Sequence, residues 1–318
     1  MAIPVILDTD IGLDVDDVWA LAFLLKCPEL DVRLVLTGTG DARSSAALVA
    51  KLLERAGRTD IPIGIGISTD PSLPRTHATW LGDYDIVDYS GTWHEDGVGA
   101  LIDTVKASPG PLTIIGIGPT RNLASALQRA PEIIDKACLI GMLGSLRIGY
   151  AGAPEAMREY NVFKDASASQ AALRAKWDKT LVPLDICGTV SLRGDRFARL
   201  LESDDPLVRA VLENHFLWVE AVRAWPGMKE FDPQAGSSFL YDTVPVYLAF
   251  ADELISFEQL NVHVSDDGWT RIDTAGAPMR CATEWKDKEG FLDLLTDRLT
   301  GAKPVKSGAS KKNVHPVV

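Results

Sequence analysis

Short apolar runs alternate with longer mixed runs along the whole chain. Six runs rich in Val, Ile and Leu predict buried strands, namely "IPVIL", "DVRLVLTG", "IPIGIG", "PLTIIGIG", "KACLIGML" and "KTLVPLDIC". Runs between them, such as "VWALAFLLKC", "ARSSAALVAKLLERAG" and "TRNLASALQRA", have helical spacing. Towards the end, "EQLNVHVS" and "WTRIDTA" predict two paired strands, and helices are predicted over 195–224, over "DTVPVYLAFA" and over 286–300. The stretches 68–96 and 144–164 are predicted to be irregular.

The strand-like runs show no alternation of polar and apolar residues, so helices should cover both faces of the sheet. This pattern predicts an α/β fold with a mostly parallel central sheet flanked by helices, Rossmann-like, in a single large domain over residues 1–300. The segment 301–318 is rich in Gly, Lys and Ser and predicts a disordered basic tail.

Charge and cysteine content narrow the functional class. A net charge of -12 predicts a surface that repels nucleic acid and anionic membranes. No apolar run approaches the ~20 residues that a membrane span needs, and "MAIPVILDTD" has no basic region typical of a signal peptide, so we expect a cytoplasmic location. The four cysteines are scattered without a CxxC pair, which indicates reduced core thiols rather than disulfides or a zinc site.

The candidate chemistry lies in "ILDTDIGLDVDDVWAL", residues 6–21, which holds five aspartates within ten positions between two apolar runs. The first two follow the strand "IPVIL", and parallel sheets bind ligands beyond the carboxyl ends of their strands. Carboxylate oxygens suit Ca²⁺ or Mg²⁺, and a bound dication turns mutual repulsion into shared attraction. The cluster therefore predicts a hard-cation site.

Three other interpretations of the acidic cluster were compared with this prediction. One or two of the aspartates would be explained by helix capping alone. An EF-hand fails on spacing, because Leu13 stands where that loop needs Gly and Trp19 where it needs Glu. A phosphatase with an aspartyl nucleophile at Asp8 is a third interpretation, although no matching downstream Lys and acidic pair is evident.

The segment "DTDIGLDVDDVWAL" resembles the N-terminal signature of the inosine-uridine preferring nucleoside hydrolases, DxDxGxDD, with two extra residues after the glycine. The resemblance continues in order through "IPIGIG", "LTIIGIGPTRNLASAL", "REYNVFKDASASQAAL", "VPLDIC" and "YDTVPVYLAF", and so covers residues 3 to about 300. It implies hydrolysis of the N-glycosidic bond of ribonucleosides to ribose and free base. It also implies a homodimer or homotetramer.

By this resemblance, Ca²⁺ would be held by Asp10, Asp17, Asp242 and the main-chain carbonyl of Arg121, where the family usually has Thr. Asp10 would also act as general base on a water that attacks C1′ of the ribose. The substrate-binding residues implied by the family are Asp16, Asp41, Glu159, Tyr160 and Asn161.

Three departures from the common family pattern concern how the nucleobase is recognised. Asp41 stands in place of an Asn, Trp93 in place of the first His of "HGxxG", and Tyr241 in place of the His before the last metal Asp. They resemble the purine-specific branch, which acts on inosine, adenosine and guanosine, and they predict that Trp93 and Tyr241 sandwich the leaving base. His94 is the reserve candidate for the acid that protonates it.

The sequence thus predicts a Ca²⁺-dependent purine N-ribohydrolase that serves purine salvage. The alternatives are a hydrolase of pyrimidine or modified nucleosides, a catalytically silent ribosyl-binding homologue and the Mg²⁺-dependent phosphatase.

Overall fold

Every apolar run that predicted a strand contributes to one ten-stranded sheet in the computed structural model, which describes residues 2–70 and 72–301. The predicted tail, 301–318, lies outside the described residues apart from Gly301. The strands are β1 Ile3–Thr9, β2 Leu30–Thr37, β3 Ile63–Ile65, β4 Trp93–His94, β5 Leu112–Gly116, β6 Ala137–Gly141, β7 Lys179–Leu181, β8 Ile255–Val264, β9 Thr270–Ile272 and β10 Ala277–Trp285.

The sheet order is β4-β3-β2-β1-β5-β6-β7-β10-β8-β9. All pairs from β4 to β10 along this order are parallel, and only β10–β8 and β8–β9 are antiparallel. The strand β1 is fourth in this order, and its Asp8 lies opposite Leu36 of β2 and Gly116 of β5. The strand order reverses between β1 and β5, which is the place where such sheets bind ligands.

Helices cover both faces of the sheet, as the continuous apolar strands require. They are α1 Asp16–Leu25, α2 Ala42–Arg55, α3 Ala78–Leu81, α4 Gly97–Ala107, α5 Arg121–Arg129, α6 Tyr160–Lys164, α7 Ala166–Arg174, α8 Leu184–Cys187, α9 Asp195–Leu201, α10 Pro206–Ala221, α11 Thr243–Leu248 and α12 Lys288–Thr300. Val5 and Leu7 of β1 pack into the core on one face, while Ile6 between them packs into the core on the other. None of the helices in the described ranges is long and apolar enough to span a membrane.

Aspartates begin many of these helices, which accounts for part of the acidic excess. The side chain of the residue before the helix accepts a hydrogen bond from a backbone N–H of the first turn, satisfying a donor that has no partner within the helix. This holds for α2, α4, α7, α10 and α12, whose capping residues are Asp41, Asp96, Asp165, Asp205 and Asp287.

The sequence analysis missed or misread several elements. The helices α4 and α7 and the strand β10 were not predicted, and the stretches predicted to be irregular contain α3, β4 and α6. In "KTLVPLDIC" only Lys179–Leu181 is a strand, because Pro183 interrupts it before α8. The helix α4 begins at Gly97, a poor helix former, because a Cβ there would lie 2.5 Å from Leu36 Cδ1 and 2.6 Å from the carbonyl oxygen of Ile65.

Asn122, in the first turn of α5, ties together the carboxyl ends of three strands. Its Nδ2 donates to Asp8 Oδ1 at the end of β1 (2.8 Å) and to the carbonyl oxygen of Thr37 at the end of β2 (3.1 Å). Its Oδ1 accepts from the backbone N–H of Ile67, which follows β3 (2.9 Å). Both Asn122 and Asp8 are buried, so each of these bonds is shielded from water.

We expect Asn122→Ala to lower the free energy of unfolding by about 2–4 kcal/mol, because three buried hydrogen-bonding groups lose their partner. Chemical denaturation would measure the change. Gln128→Ala, at an exposed position of the same helix, is the matched control and should change the free energy of unfolding by less than about 0.5 kcal/mol. Equal free energies of unfolding for the two variants would show that the hydrogen bonds of Asn122 do not contribute to stability.

Candidate active site

A cavity of about 480 Å³ opens at the carboxyl ends of the central strands. Six carboxylates line it, four aromatic rings border it, and none of the described residues in its lining is Lys, Arg or His. The carboxylates are Asp10, Asp14, Asp16, Asp17, Glu159 and Asp242; the rings are Tyr150, Tyr160, Trp225 and Tyr241. Enclosed volume with convergent polar groups is typical of a small-molecule site.

Asp16, Asp17 and Asp242 form the tightest acidic group in the described part of the chain. One carboxylate oxygen from each lies within 4.8 Å of the others, and all three side chains are buried. Asp16 and Asp17 lie in the first turn of α1, and Asp242 directly precedes α11. The hydroxyl of Thr9, at the end of β1, donates to Asp17 and fixes its orientation. The group therefore depends on the junction of one strand and two helices.

Burial raises the pKa of each of these carboxyls, because a charge away from water is costly. The pKa of Asp17 is raised to about 7, chiefly by burial. Burial and then the neighbouring acidic charges raise the pKa values of Asp16 and Asp242 well above the usual range. A divalent cation would reverse this cost, and an all-oxygen donor set with no competing basic side chain fits a hard cation.

Asp10 lies beside this group rather than within it. It lines the main cavity and a neighbouring depression, and burial first and then the charge of Asp17 raise its pKa well above the usual value. The backbone of Gly118, after β5, packs directly against Asp10, since a Cβ at Gly118 would lie 2.8 Å from Asp10 Oδ1. Only glycine permits this close approach.

Glu159 and Asn161 form the wall of the cavity that follows β6. The Glu159 carboxylate accepts from the backbone N–H groups of Gly144 (2.8 Å), Asn161 (2.6 Å) and Val162 (3.1 Å), yet burial outweighs these bonds and raises its pKa to about 7. The Asn161 side-chain amide donates to the carbonyl oxygen of Met142 (3.0 Å). Both side chains are thus held rigidly before any ligand binds.

Arg121 does not reach this cavity. It is exposed in the first turn of α5, and its guanidinium forms a 2.6 Å ion pair with Asp165. The backbone that lines the cavity after β5 is that of Ile117, whose carbonyl oxygen lies 3.4 Å from Asn161 Nδ2. Ile117, four residues before Arg121, therefore lines the cavity, whereas Arg121 lies in the first turn of α5 and does not.

Trp93 and His94 are also absent from the cavity lining, and the expected sandwich of Trp93 with Tyr241 is not formed. They make up the edge strand β4, where Trp93 lies opposite Ile63, the first residue of β3. Trp93 is thus at the amino end of its strand pair, away from the carboxyl ends that bear the site. Tyr241 instead packs edge-to-face on Tyr150, with ring centroids 5.9 Å apart.

Asp41 borders the neighbouring depression and not the main cavity. It is exposed, accepts from the backbone N–H of Ser44 (3.1 Å) as the cap of α2, and lies 3.9 Å from an Arg75 nitrogen. Leu73 and Pro74 border both spaces and separate them. Helix capping by itself accounts for the hydrogen bond between Asp41 and Ser44.

Asp8, the nucleophile that a phosphatase would need, is buried beneath the site and does not line the cavity. Its Oδ1 accepts from Asn122, and burial raises its pKa to about 7. A carboxyl in this position is out of reach of a phosphate ester, which argues against the aspartyl phosphatase.

Among the cavity-lining residues to which the sequence alone gave no individual role are Asp14, Ile117, Tyr150 and Trp225. Asp14 belongs to the acidic cluster and was detectable by its charge. Ile117 and Tyr150 carry no sequence signal of their own. Trp225 follows the long helix α10, and no local pattern links it to the strand ends that bear the site.

Comparison with known proteins agrees with this geometry. The family model described as "Inosine-uridine preferring nucleoside hydrolase" matches residues 5–297. A relative from Arabidopsis thaliana, named a probable uridine nucleosidase 2, is 26% identical over 311 residues, which cover 89% of this chain and 90% of the relative.

Two solved structures have the same fold. A plant nucleoside hydrolase, the PpNRh1 enzyme, has a TM-score of 0.78 at 25% identity, covering 94% of this chain and 99% of its own. A purine-preferring ribonucleoside hydrolase from Gardnerella vaginalis has a TM-score of 0.73 at 24% identity, covering 94% and 98%. The chain therefore belongs to the inosine-uridine preferring nucleoside hydrolase family, whose members are N-ribohydrolases.

Proposed function

We propose that the protein is a Ca²⁺-dependent hydrolase of purine ribonucleosides, releasing ribose and the free base. The observation that carries the proposal is the buried group of Asp16, Asp17 and Asp242 beside Asp10, at the wall of the cavity. Buried carboxylates without basic partners are costly unless a cation joins them.

We assign the side-chain ligands of the ion to Asp10, Asp17 and Asp242, and the main-chain ligand to the carbonyl oxygen of Ile117. Asp16 lies in the same acidic group as Asp17 and Asp242. Carboxylates mixed with a backbone carbonyl favour Ca²⁺, which accepts irregular oxygen shells, over Mg²⁺, which demands a compact octahedron. When bound, such an ion lowers the pKa of a neighbouring water and fixes its position.

The remaining chemistry belongs to the side chains. Asp10, next to the acidic group, accepts the proton of the attacking water as its oxygen bonds to C1′. The electron pair of the C1′–N bond passes to the leaving base, which takes up a proton from solvent. Glu159 and Asn161, held by backbone contacts, are placed to bind ribose hydroxyls, as is Asp16. The surrounding negative charge stabilises the positive charge that develops on the sugar ring.

The base preference depends on the aromatic border of the cavity. The names of relatives point both ways, to uridine in Arabidopsis thaliana and to purines in Gardnerella vaginalis, so the base preference is inferred from the aromatic rings. We assign Trp225 and Tyr241 to the stacking role first expected of Trp93 and Tyr241, because both line the cavity. A broad purine gains more from stacking than a pyrimidine does. Burial raises the pKa of the Tyr241 hydroxyl, which favours a stacking role over an acid role.

Calcium should stabilise the fold, because only the folded chain assembles the site. We expect the thermal midpoint to rise by about 5 °C or more when Ca²⁺ is restored to EDTA-treated protein. Equal concentrations of Mg²⁺ should raise it less. Identical midpoints with EDTA and with Ca²⁺ would refute the metal assignment.

The metal-free protein should lose stability as pH rises from about 4.5 to about 7. In this window the carboxyls of Asp8, Asp17 and Glu159, with pKa values raised to about 7, still hold protons in the folded state, while the unfolded chain has already lost them. The folded state then binds more protons, so its free energy of unfolding falls with pH. Saturating Ca²⁺ should remove the contribution of Asp17 and so make the stability less dependent on pH. Thermal midpoints measured at several pH values, with and without Ca²⁺, would detect the difference.

Asp10→Asn tests whether Asp10 is the general base that accepts a proton from the attacking water. The amide keeps an oxygen ligand but cannot accept the proton, so kcat for inosine should fall by about 10³-fold while KM changes little. Calcium should still raise the thermal midpoint of the variant. A kcat near that of the wild type would assign the base to another residue.

Trp225→Ala tests the stacking assignment against the sequence-based one. Because a base stacked on an aromatic ring gains about 1–3 kcal/mol, kcat/KM for inosine should fall about ten-fold or more, and further than for uridine. Trp93→Ala removes the same side chain outside the cavity and should change kcat/KM by less than about two-fold. The opposite ranking of the two variants would restore the sandwich at Trp93.

A further inference from the structure

A buried histidine, His77, bridges two parts of the chain beside the main cavity without lining it. It directly precedes α3 and lies between the loop 12–14, which joins β1 to α1, and the helix α10. Its Nε2 lies 3.0 Å from the carbonyl oxygen of Asp14, and its Nδ1 lies 2.8 Å from Asn214 Oδ1. Both distances are those of hydrogen bonds. The proposed chemistry gives this side chain no role.

The orientation of the Asn214 amide fixes which of its atoms faces His77. Its Nδ2 donates to the carbonyl oxygen of Ala210 (2.9 Å), and a carbonyl oxygen only accepts. Turning the amide over would place Oδ1 against that carbonyl oxygen, so Oδ1 must face His77. Both ring nitrogens therefore face acceptors, and both must donate. A neutral imidazole has one N–H, so only the imidazolium forms both bonds.

Loss of one proton from the His77 ring would affect its two contacts unequally. Asn214 is fully buried, so its oxygen has no access to water if the ring stops donating to it. Asp14 is half-buried and borders the main cavity, where water can replace the lost donor. The remaining proton therefore stays on Nδ1, and the bare Nε2 repels the carbonyl oxygen of Asp14.

Two further side chains hold the loop whatever the pH. Thr76 Oγ1 donates to the carbonyl oxygens of residues 12 and 13 (3.0 and 2.8 Å), and Trp218 Nε1 donates to the second of these (3.0 Å). A hydroxyl and an indole keep their protons near neutral pH. Deprotonation of His77 would thus free the carbonyl of Asp14 without releasing the rest of the loop.

Burial lowers the pKa of the His77 ring, and its bonds to Asn214 and Asp14 oppose this shift. The ring should therefore lose its second proton at a mildly acidic pH. The charged side chains on the segments packed around the ring are those of Asp10, Asp14, Asp41, Lys51, Arg75 and Glu213.

We infer that His77 is a positioning residue: as an imidazolium it fastens the carbonyl of Asp14 to α10, and it releases this carbonyl when the ring loses a proton. Its effect passes through the loop to Asp16 and Asp17, which begin α1 directly after it. The acidic group is therefore held most firmly on the acid side of neutral pH. This inference goes beyond the proposed function, because it concerns the geometry of the acidic group whatever ligand enters the cavity.

Nitrogen-15 NMR of the histidine side chains in the full chain, from about pH 5 to about pH 8, tests the protonation state. We expect both ring nitrogens of His77 to carry protons at the acid end, and only Nδ1 at the alkaline end. The signals are assigned by their loss in His77→Gln or, if this variant does not fold, by through-space contacts with the side-chain amide of Asn214. A ring with a single protonated nitrogen over the whole range would overturn the inference.

Two substitutions of Asn214 should prevent the release of Asp14 by opposite routes. Asn214→Asp supplies a charged acceptor, so the ring should keep both protons to a pH higher by about one unit or more. Asn214→Leu removes the acceptor, so a neutral ring should carry its proton on Nε2 and donate to Asp14 at every pH. In both variants the backbone amide signals of the loop should lose the component of their pH dependence that follows the wild-type ring.

Glu213→Gln is the matched control on the same helix. Its side chain still accepts from Trp80 Nε1, and it exchanges a carboxylate for an amide where Asn214→Asp does the reverse. The titration of the His77 ring and the response of the loop should remain those of the wild type.

Calorimetric Ca²⁺ affinity, measured for each variant and the wild type at the same pH, tests the effect on the acidic group. The ratio of the two affinities cancels the titration of carboxyls that both proteins share. For the Asn214 variants it should rise by about two-fold or more as the wild-type ring loses its proton, the value of one weak hydrogen bond. For Glu213→Gln it should stay near one.

A ratio that stays constant with pH in both Asn214 variants would overturn the positioning role of His77, and would leave the proposed function intact. Failure of the wild-type protein to bind Ca²⁺ would count against the proposed function, and the NMR measurements would then decide the role of His77 alone.

Discussion

Mutual repulsion among buried carboxylates is the constraint around which this molecule is arranged. Asp16, Asp17 and Asp242 approach within 4.8 Å of one another, and burial raises the pKa of each. Flexible side chains would relieve the repulsion by moving apart into water. Here they cannot, because two belong to the first turn of α1 and the third to the start of α11, both packed in the core. The scaffold thus holds a charge arrangement that a cation completes.

The rigidity behind this arrangement comes from polar contacts at the carboxyl ends of the strands. Asn122 joins the ends of β1 and β2 to the segment after β3, and Thr9 orients Asp17. The bonds to Asp8, Thr37 and Asp17 are buried, so losing one of them would leave unpaired groups that water cannot reach. The same logic extends outward to the loop 12–14, whose carbonyl oxygens are held by Thr76, His77 and Trp218.

The fold class followed from local pattern, while several elements did not. Buried parallel strands appear in the sequence as continuous apolar runs, and this pattern can be recognised without knowing which strands pair with one another. The helix α4 escaped prediction because its first residues, Gly97 and Gly99, disfavour an isolated helix. It forms because its apolar side packs on the sheet, where Val98, Leu101 and Val105 are buried with Leu36. Tertiary packing overrides propensity at such a place.

By itself, the sequence determined the acidic cluster, the alternation of strands and helices, and hence the edge of the sheet where the cluster must lie. Residues near one another in the chain carry that information, because strand direction and side-chain spacing are local properties. Only the tertiary structure decided which distant residues reach the cavity: Trp225 and Tyr150 enter it, and Trp93, His94 and Arg121 do not. The reason is physical, since a side chain's access to the site depends on which end of its strand or turn of its helix it occupies after packing.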